Sequence, residues 1–283
     1  MNLTNYHSHS TYCDGSAPLK KFVSEALNQG FTSYGFSSHA PLPFSTNWNM
    51  DKDKMEDYLE ECCELVVEYK NKIELYLGLE IDYLTDEYNP SSAYFQNLPL
   101  DYRIGSVHFV EIDNEQFVDV DCGVELFREN VQKYFNRDYE EVVIRYFEAQ
   151  RKLILAGGFD FIGHCDKISK NASANAKGIL DSSFYKSVVK SYFEFVAQHK
   201  CMLEINSKAY ELRGMLFPNI EHFELLRELE IRVMVNSDSH KPQLINSGRK
   251  EALKALHTAK FDRVMELHDG VWTGVPIHTI YRY

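Results

Sequence analysis

No apolar run in the sequence reaches the length needed to cross a bilayer, and the first residues lack the charged-then-apolar pattern of a signal peptide. Both absences set the expectation of a cytoplasmic protein with no membrane partner. Cysteine is scarce and unpatterned: there are six, two of them adjacent at Cys62 and Cys63, and none in a Cys-x-x-Cys pair. This argues against a disulfide framework and against a zinc finger, and reads as reduced thiols. Basic residues are the minority charge, 30 Lys and Arg against 42 Asp and Glu, for a net charge of -12. General affinity for phosphodiester backbones needs clustered Lys and Arg, so a nucleic-acid partner is not expected and a small-molecule substrate is. There is no repeat of fixed period, no low-complexity tract and no linker rich in Pro, Gly or Ser. One domain over residues 1–283 is therefore expected, a size that α/β barrels commonly reach as a unit.

What the chain does have is an opening stretch, Tyr6-His7-Ser8-His9-Ser10-Thr11-Tyr12-Cys13-Asp14-Gly15. If residues 3–7 form a strand, His7 and His9 stand at i and i+2, point the same way, and can grip one ion, with Asp14 five residues on. Imidazole and carboxylate donors suit Zn, Fe or Mn. A His-x-His pair also arises by chance in a turn, so the later strand ends have to decide.

Residues 18–29 read as a helix with Leu19, Phe22, Val23, Ala26 and Leu27 on one face and Gly30 as the stop. The strand-like residues 31–38 run into His39, where Pro41 and Pro43 forbid a regular continuation. A charged helical pattern over 51–72 precedes an apolar strand over 73–81 that delivers Glu80, and a strand over 103–107 delivers His108. Helices are expected over 124–134 and 139–156, then a strand over 159–163 ending at His164. Further expected are a helix over 181–199, a strand over 201–205 leading to Asn206, a helix over 220–230, and a strand over 231–235 ending in Asn236-Ser237-Asp238-Ser239-His240. Past Ser247 a helix and a tail of unassigned type follow. Seven strands alternating with helices predict a parallel sheet. In a closed α/β barrel all strand ends meet on one face, which would gather the scattered residues into one cluster.

That cluster would comprise His7, His9, Asp14, His39, Glu80, His108, His164, Asp238 and His240. Nine such ligands are too many for one ion, because catalytic zinc takes about three protein ligands and keeps one position open; three divalent transition-metal ions accommodate them. His199, His222, His257, His268 and His278 lie in helices or the tail and are not expected to be ligands. Lys167, Lys208 and Arg213 follow the fifth and sixth strands, where they either point at a phosphate or serve as ordinary surface charges. Trp48, Tyr102 and Phe109 are expected as core or loop anchors rather than as substrate platforms.

His-Ser-His with Cys-Asp-Gly downstream, Ser-Ser-His39-Ala-Pro-Leu-Pro, Gly-Leu-Glu80-Ile-Asp, Gly-Ser-Val-His108-Phe, Gly-His164-Cys-Asp, Leu-Glu204-Ile-Asn and Asn-Ser-Asp238-Ser-His240 resemble, in order, the motifs of the PHP (polymerase and histidinol phosphatase) superfamily. Within it the chain is similar to the monofunctional histidinol-phosphate phosphatases. The likeness runs over about residues 5 to 242 and departs at Asn206-Ser207-Lys208-Ala209, where the family has small residues and a glycine. It implies a distorted seven-stranded (β/α)7 TIM-like barrel with three metals. By motif position His7, His9, Glu80 and Asp238 would hold the first ion. Glu80 would bridge to a second ion bound by His108 and His164, and Asp14, His39 and His240 would hold the third.

The chemistry expected of such a site is phosphomonoester hydrolysis. Two cations about 3.5 to 4 Å apart can share a hydroxide at neutral pH and stabilise the phosphate oxygens of an in-line displacement. Glu80, Asp238 and His240 are then the catalytic groups, with a ligand Asp or His supplying the leaving group's proton. The expected substrate is L-histidinol phosphate; the alternative is a nucleotide or another small phosphoester. A non-catalytic PHP-type module would predict extra domains or eroded ligands, and an amidohydrolase barrel, which also begins with His-x-His, fits Asp14 and Asp238-x-His240 less well. Substrate choice is expected in the loops over 45–57 and 85–100, with Asp51, Asp53, Asp86, Glu87 or Asp101 pairing with the substrate's ammonium.

Overall fold

A computed structural model describes residues 2–112 and 116–278. In chain order the elements begin β1 (Thr4–Asn5), α1 (Leu19–Asn28), β2 (Ser33–Phe36), α2 (Met55–Tyr69), β3 (Glu74–Asp82), α3 (Ala93–Gln96) and β4 (Tyr102–Ser106). A short hairpin follows, β5 (Phe109–Glu111) and β6 (Phe117–Asp119), then α4 (Val124–Tyr134), α5 (Tyr139–Ala156), β7 (Phe161–Ile162), α6 (Ile168–Asn175), α7 (Ser183–Gln198) and β8 (Met202–Asn206). The chain continues through α8 (Tyr210–Arg213), α9 (Phe223–Glu228), β9 (Val233–Asn236) and α10 (Arg249–Thr258) to a second hairpin, β10 (Arg263–His268) and β11 (Val271–Pro276).

Seven strands pair in the order β1-β2-β3-β4-β7-β8-β9, every neighbouring pair parallel. The two edges meet through a single parallel bridge, Ser8 to Ser239, with the His9 N–H donating to the Ser239 carbonyl at 2.9 Å. Side-chain amides extend this seam: Asn236 Oδ1 accepts from the Tyr6 N–H at 2.8 Å and Asn5 Oδ1 from the Ser237 N–H at 2.7 Å. The sheet thus closes into the expected seven-stranded barrel. Strands buried on both faces read as continuous apolar runs, and β3, with only its first residue partly exposed, is the clearest case.

Inside the barrel, Tyr6, Tyr102, Phe161, Met202 and Met234 fill the end opposite the site, and the β10–β11 hairpin covers it with Leu267 and Trp272. Tyr102 is wholly buried, as a core anchor, and its ring crosses the barrel over β2 and β3. A Cβ at Gly35 or Gly78 would collide with that ring, so both strands need glycine there. Several features depart from expectation: the helical pattern over 220–230 splits into a 3-10 turn and the short α9, the helices α3, α6 and α8 fall where none is expected, and neither hairpin is visible in the sequence.

The hairpin is held to the barrel by His268, whose Nδ1 lies 2.8 Å from Glu74 Oε2 and whose Nε2 lies 2.9 Å from Glu266 Oε2. Burial pulls its pKa down, but Glu266 and Glu74 outweigh burial and hold it above the ordinary 6.5. Folding therefore favours the protonated ring. The resulting stability is fully present below an unfolded pKa of about 6.5 and is lost as pH rises through the folded value. The Tm difference between the wild type and His268→Gln, followed by circular dichroism, is expected to be larger at pH 5.5 than at pH 8.5. Equal differences would show that this proton is not used.

Candidate active site and metal centre

Glu80 stands at the centre. It is buried on β3 and presents its two oxygens to different imidazoles. Oε2 lies 3.1 Å from His7 Nε2, 3.5 Å from His9 Nε2 and 2.9 Å from His39 Nδ1. Oε1 lies 2.8 Å from His164 Nε2 and 3.5 Å from His108 Nε2, and accepts a hydrogen bond from Ser106 Oγ at 2.7 Å. Asp238 faces the same space from just past β9, with Oδ1 3.2 Å from His9 Nε2 and 3.5 Å from His240 Nδ1. Asp14 completes the far side, Oδ2 lying 3.1 Å from His240 Nε2 and Oδ1 3.9 Å from His39 Nε2.

All nine sequence-named residues thus lie together. Potential ligand atoms close enough to share an ion fall into four overlapping groups: His9, Asp14, His39 and His240; His7, His164 and Asp238; His7, His9 and Glu80; His39, Glu80 and His108. His9, read with His7 in one set, also reaches the Asp14 set, and its ring lies 4.1 Å from those of His39 and His240. The other five histidines lie outside these groups, His268 in the latch beneath the barrel.

Local backbone geometry aims two of these side chains. His164 and Asp238 both have positive φ, 23° and 47°, directly after short strands. Such conformations cost about 1–3 kcal/mol each and persist only where surrounding contacts hold them. Glu204 supplies one such contact, accepting the His164 N–H at 2.9 Å through Oε2.

Behind the histidines stand acceptors that fix their rings. His7 Nδ1 lies 2.7 Å from Glu204 Oε1, His108 Nδ1 lies 2.9 Å from Asp82 Oδ1, and His240 Nδ1 lies 3.1 Å from the Asp238 carbonyl. In each case the other ring nitrogen faces the cluster, the arrangement common around metal-bound histidine. Asp82 and Glu204 were not assigned roles from the sequence. The signal was there for Asp82, which follows Glu80 at i+2 on one strand and so shares its face. His7 Nε2, His9 Nε2, His39 Nδ1 and Glu80 Oε2 are buried and make no hydrogen bond. Buried polar atoms rarely go unpaired, and four orphans in one cluster of hard and borderline donors fit divalent cations.

The electrostatics agree. Burial would push Glu80 up, yet His7, His39 and His108 hold its carboxyl well below the usual range. Burial would lower His7 and His108, but Glu204, Glu80 and Asp238 raise His7 well above its ordinary value, and Asp82 with Glu80 raises His108 to about 9. Four buried carboxylates therefore draw positive charge inward, and a bound cation would satisfy the same demand. His9 is held low by burial and by its neighbours His240 and His39, and burial with Lys167 brings His164 down to about 4.

The cluster opens into a cavity of about 170 Å³. Lys167 and Lys208 line it: Lys167 Nζ lies 2.9 Å from Asp121 Oδ2 and 3.4 Å from Asp238 Oδ2, and Lys208 Nζ lies 3.0 Å from Asp238 Oδ1. Arg213 does not reach the lining; it ends α8 exposed to solvent. Trp48 is a cavity wall rather than a remote anchor, its ring 4.6 Å from His39 and stacked on Phe109 at 5.6 Å.

Asp51, Asp53, Asp86, Glu87 and Asp101 require correction as candidate partners of a substrate ammonium, since none lines this cavity and all are exposed. The stretch over 85–100 is the return path from the end of β3 to the start of β4, so Asp101 caps the opposite end of the barrel and accepts the Leu77 N–H at 2.8 Å. Asp51 pairs with Lys54 at 3.0 Å at the start of α2. The carboxylates that do line the cavity are Asp14, Asp119, Asp121 and Asp238. Asp119 ends β6 of the unforeseen β5–β6 hairpin, and Asp121 lies two residues past it.

Fold and site together define an α/β barrel with a metal-ligand type of cluster at the C-terminal ends of its strands. The chain belongs to the PHP domain family, which matches residues 5–208. It is 27% identical over 259 residues, 84% of its own length and 81% of the other's, to a probable histidinol-phosphatase of Schizosaccharomyces pombe. Its fold is similar to that of a candidate histidinol phosphatase from Listeria monocytogenes, with a TM-score of 0.79 and 21% identity over 88% of this chain and 99% of that one. It is also similar to the Lactococcus lactis histidinol phosphate phosphatase complexed with zinc, L-histidinol and phosphate, with a TM-score of 0.72 and 20% identity over 95% and 98% of the two chains.

Proposed function

We propose that this chain is a metal-dependent phosphomonoesterase that hydrolyses L-histidinol phosphate to L-histidinol and phosphate, a step of histidine biosynthesis. The observation that carries this reading is the buried carboxylate of Glu80, whose two oxygens face two separate sets of imidazoles beside unpaired donors. Membership of the PHP family and relatives named for this activity support it. His7, His9, Glu80 and Asp238, then Glu80, His108 and His164, then Asp14, His39 and His240 would hold three divalent ions of the Zn, Fe or Mn kind. Bound there, the ions would make water nucleophilic at neutral pH and neutralise the phosphate.

The chain's own groups do the rest. Burial would lower the Lys167 pKa, but Asp121 and Asp238 raise it further, so Lys167 stays cationic beside the cavity. Lys167 and Lys208 grip phosphate oxygens and orient the ester for attack from the cluster side. Asp238, between both lysines, accepts the proton of the attacking water and returns it to the leaving oxygen as the P–O bond breaks, and His240 stands beside it at the cavity wall. Six free cysteines and the lack of any described helix able to cross a membrane fit a cytoplasmic setting.

Steady-state phosphate release tests the substrate. The kcat/KM for L-histidinol phosphate is expected to exceed that for a nucleoside monophosphate by at least about tenfold. A preference for the nucleotide would shift the reading to the alternative of a nucleotide or small-phosphoester hydrolase.

A further inference from the structure

Asn206 ends β8, is wholly buried, and belongs to none of the ligand groupings. Its backbone is pinned on two sides. The Asn206 N–H donates to the Phe217 carbonyl at 2.7 Å, the Phe217 N–H donates back at 3.0 Å, and on its other edge the strand pairs in parallel with Asn236 of β9. Both polar atoms of the side chain are used as well. Nδ2 donates to Glu204 Oε2 at 2.9 Å and to Asp238 Oδ2 at 3.2 Å, and Oδ1 accepts the Lys208 N–H at 3.0 Å.

These partners have different tasks. Glu204 stands two residues earlier on the same face of β8, beside His7 Nδ1 and the His164 N–H. The two oxygens of Asp238 look in different directions: Oδ1 faces His9 and Lys208, and Oδ2 faces Asn206 and Lys167. The lysines carry their charge on flexible stems, so they attract the carboxylate without fixing its plane. Asn206 is a short neutral donor held by its own strand. It fixes that plane and adds no charge, and the same amide sets the direction of the chain into Lys208.

We propose that Asn206 is a positioning residue for the hydrolysis: its amide N–H groups turn Asp238 so that Oδ1 faces the attacking water and the leaving oxygen, and its amide oxygen places Lys208 for the phosphate. The inference rests on the phosphomonoesterase reading above and adds what orients the group that moves the proton. The proton that Asp238 takes from water as the new P–O bond forms is the one it gives to the alkoxide as the ester P–O bond breaks. A carboxylate turned away therefore impairs the reaction most where the leaving group needs that proton. A misplacement of about 1 Å costs on the order of a hundredfold.

The test measures kcat and KM for the wild type, Asn206→Ala and Asn206→Asp on two esters: L-histidinol phosphate, whose alkoxide leaves with a proton, and p-nitrophenyl phosphate, whose phenolate leaves without one. Circular dichroism melts and elemental analysis follow folding and metal content, which are expected to match the wild type. In both variants kcat for the histidinol ester is expected to fall on the order of tenfold to a hundredfold, and kcat for the nitrophenyl ester to stay within about threefold. KM for the histidinol ester is expected to rise in Asn206→Ala, which loses the acceptor for the Lys208 N–H, and to change little in Asn206→Asp, which keeps it. Either variant that folds suffices for the comparison of leaving groups. Equal losses on both esters, a loss that tracks lost metal, or an unchanged kcat on both overturns the proposal and leaves the phosphatase reading standing. Failure of both variants to fold makes Asn206 a structural residue only and overturns it too. Where the wild type accepts only the histidinol ester, equal KM values in the two variants overturn the proposal. A wild type that releases phosphate from neither ester removes both readings.

Discussion

Treatment with a chelator is expected to abolish phosphate release from L-histidinol phosphate, and adding back Zn, Mn or Fe is expected to restore it. The physical ground is the concentration of buried donors that the protein itself leaves unsatisfied: His7 Nε2, His9 Nε2, His39 Nδ1 and Glu80 Oε2 make no hydrogen bond. Without a cation, carboxylates and imidazoles this close hold one another only by drawing protons onto rings such as His7 and His108. With cations, the same donors are satisfied and the activation of water is supplied. Elemental analysis of protein purified without added metal is expected to give close to three transition-metal ions per chain, about three ligands serving each. Because binding favours the folded form, the metal-loaded protein should also melt at a higher temperature than the chelated one. Full activity in a rigorously metal-free sample would end the metal-dependent reading.

Glu80→Gln is expected to lower turnover at least about a hundredfold with the fold intact, since an amide keeps the shape but removes the charge that both imidazole sets face. His108→Ala is expected to do the same by removing one donor and stranding Asp82, now 2.9 Å from His108 Nδ1, without its partner. His257→Ala is the contrast. That residue is exposed near the end of α10 and belongs to none of the ligand groupings, so its loss should be nearly silent. Comparable losses at all three positions, measured as kcat on folded protein, would mean that the wrong histidines have been assigned.

Much of the barrel could be read from the sequence, because its signals are local. The helical period of Leu19, Phe22, Val23 and Ala26 places one face inward, and in α1 those four are buried. The apolar run before Glu80 is long because β3 is covered on both faces. Histidines and carboxylates just past such runs could be named one by one, and the parallel order of seven strands brings those nine residues to one end. What was misplaced shows where local signals stop. Asp101 and Asp119 are both acidic and both stand next to short strands, yet one caps the far end of the barrel and the other lines the cavity.

The sequence by itself determined the alternation of strands and helices and the kinds of donor at the strand ends, because strand and helix periods are written within a few neighbouring residues. Only the tertiary structure decided which donors face one another. The bridge from Ser8 to Ser239 that closes the barrel, and the place of Glu80 on β3 that gives one of its oxygens His39 and the other His164, join residues far apart in the chain. Such pairings arise from the closure of the sheet as a whole, and no segment carries them alone.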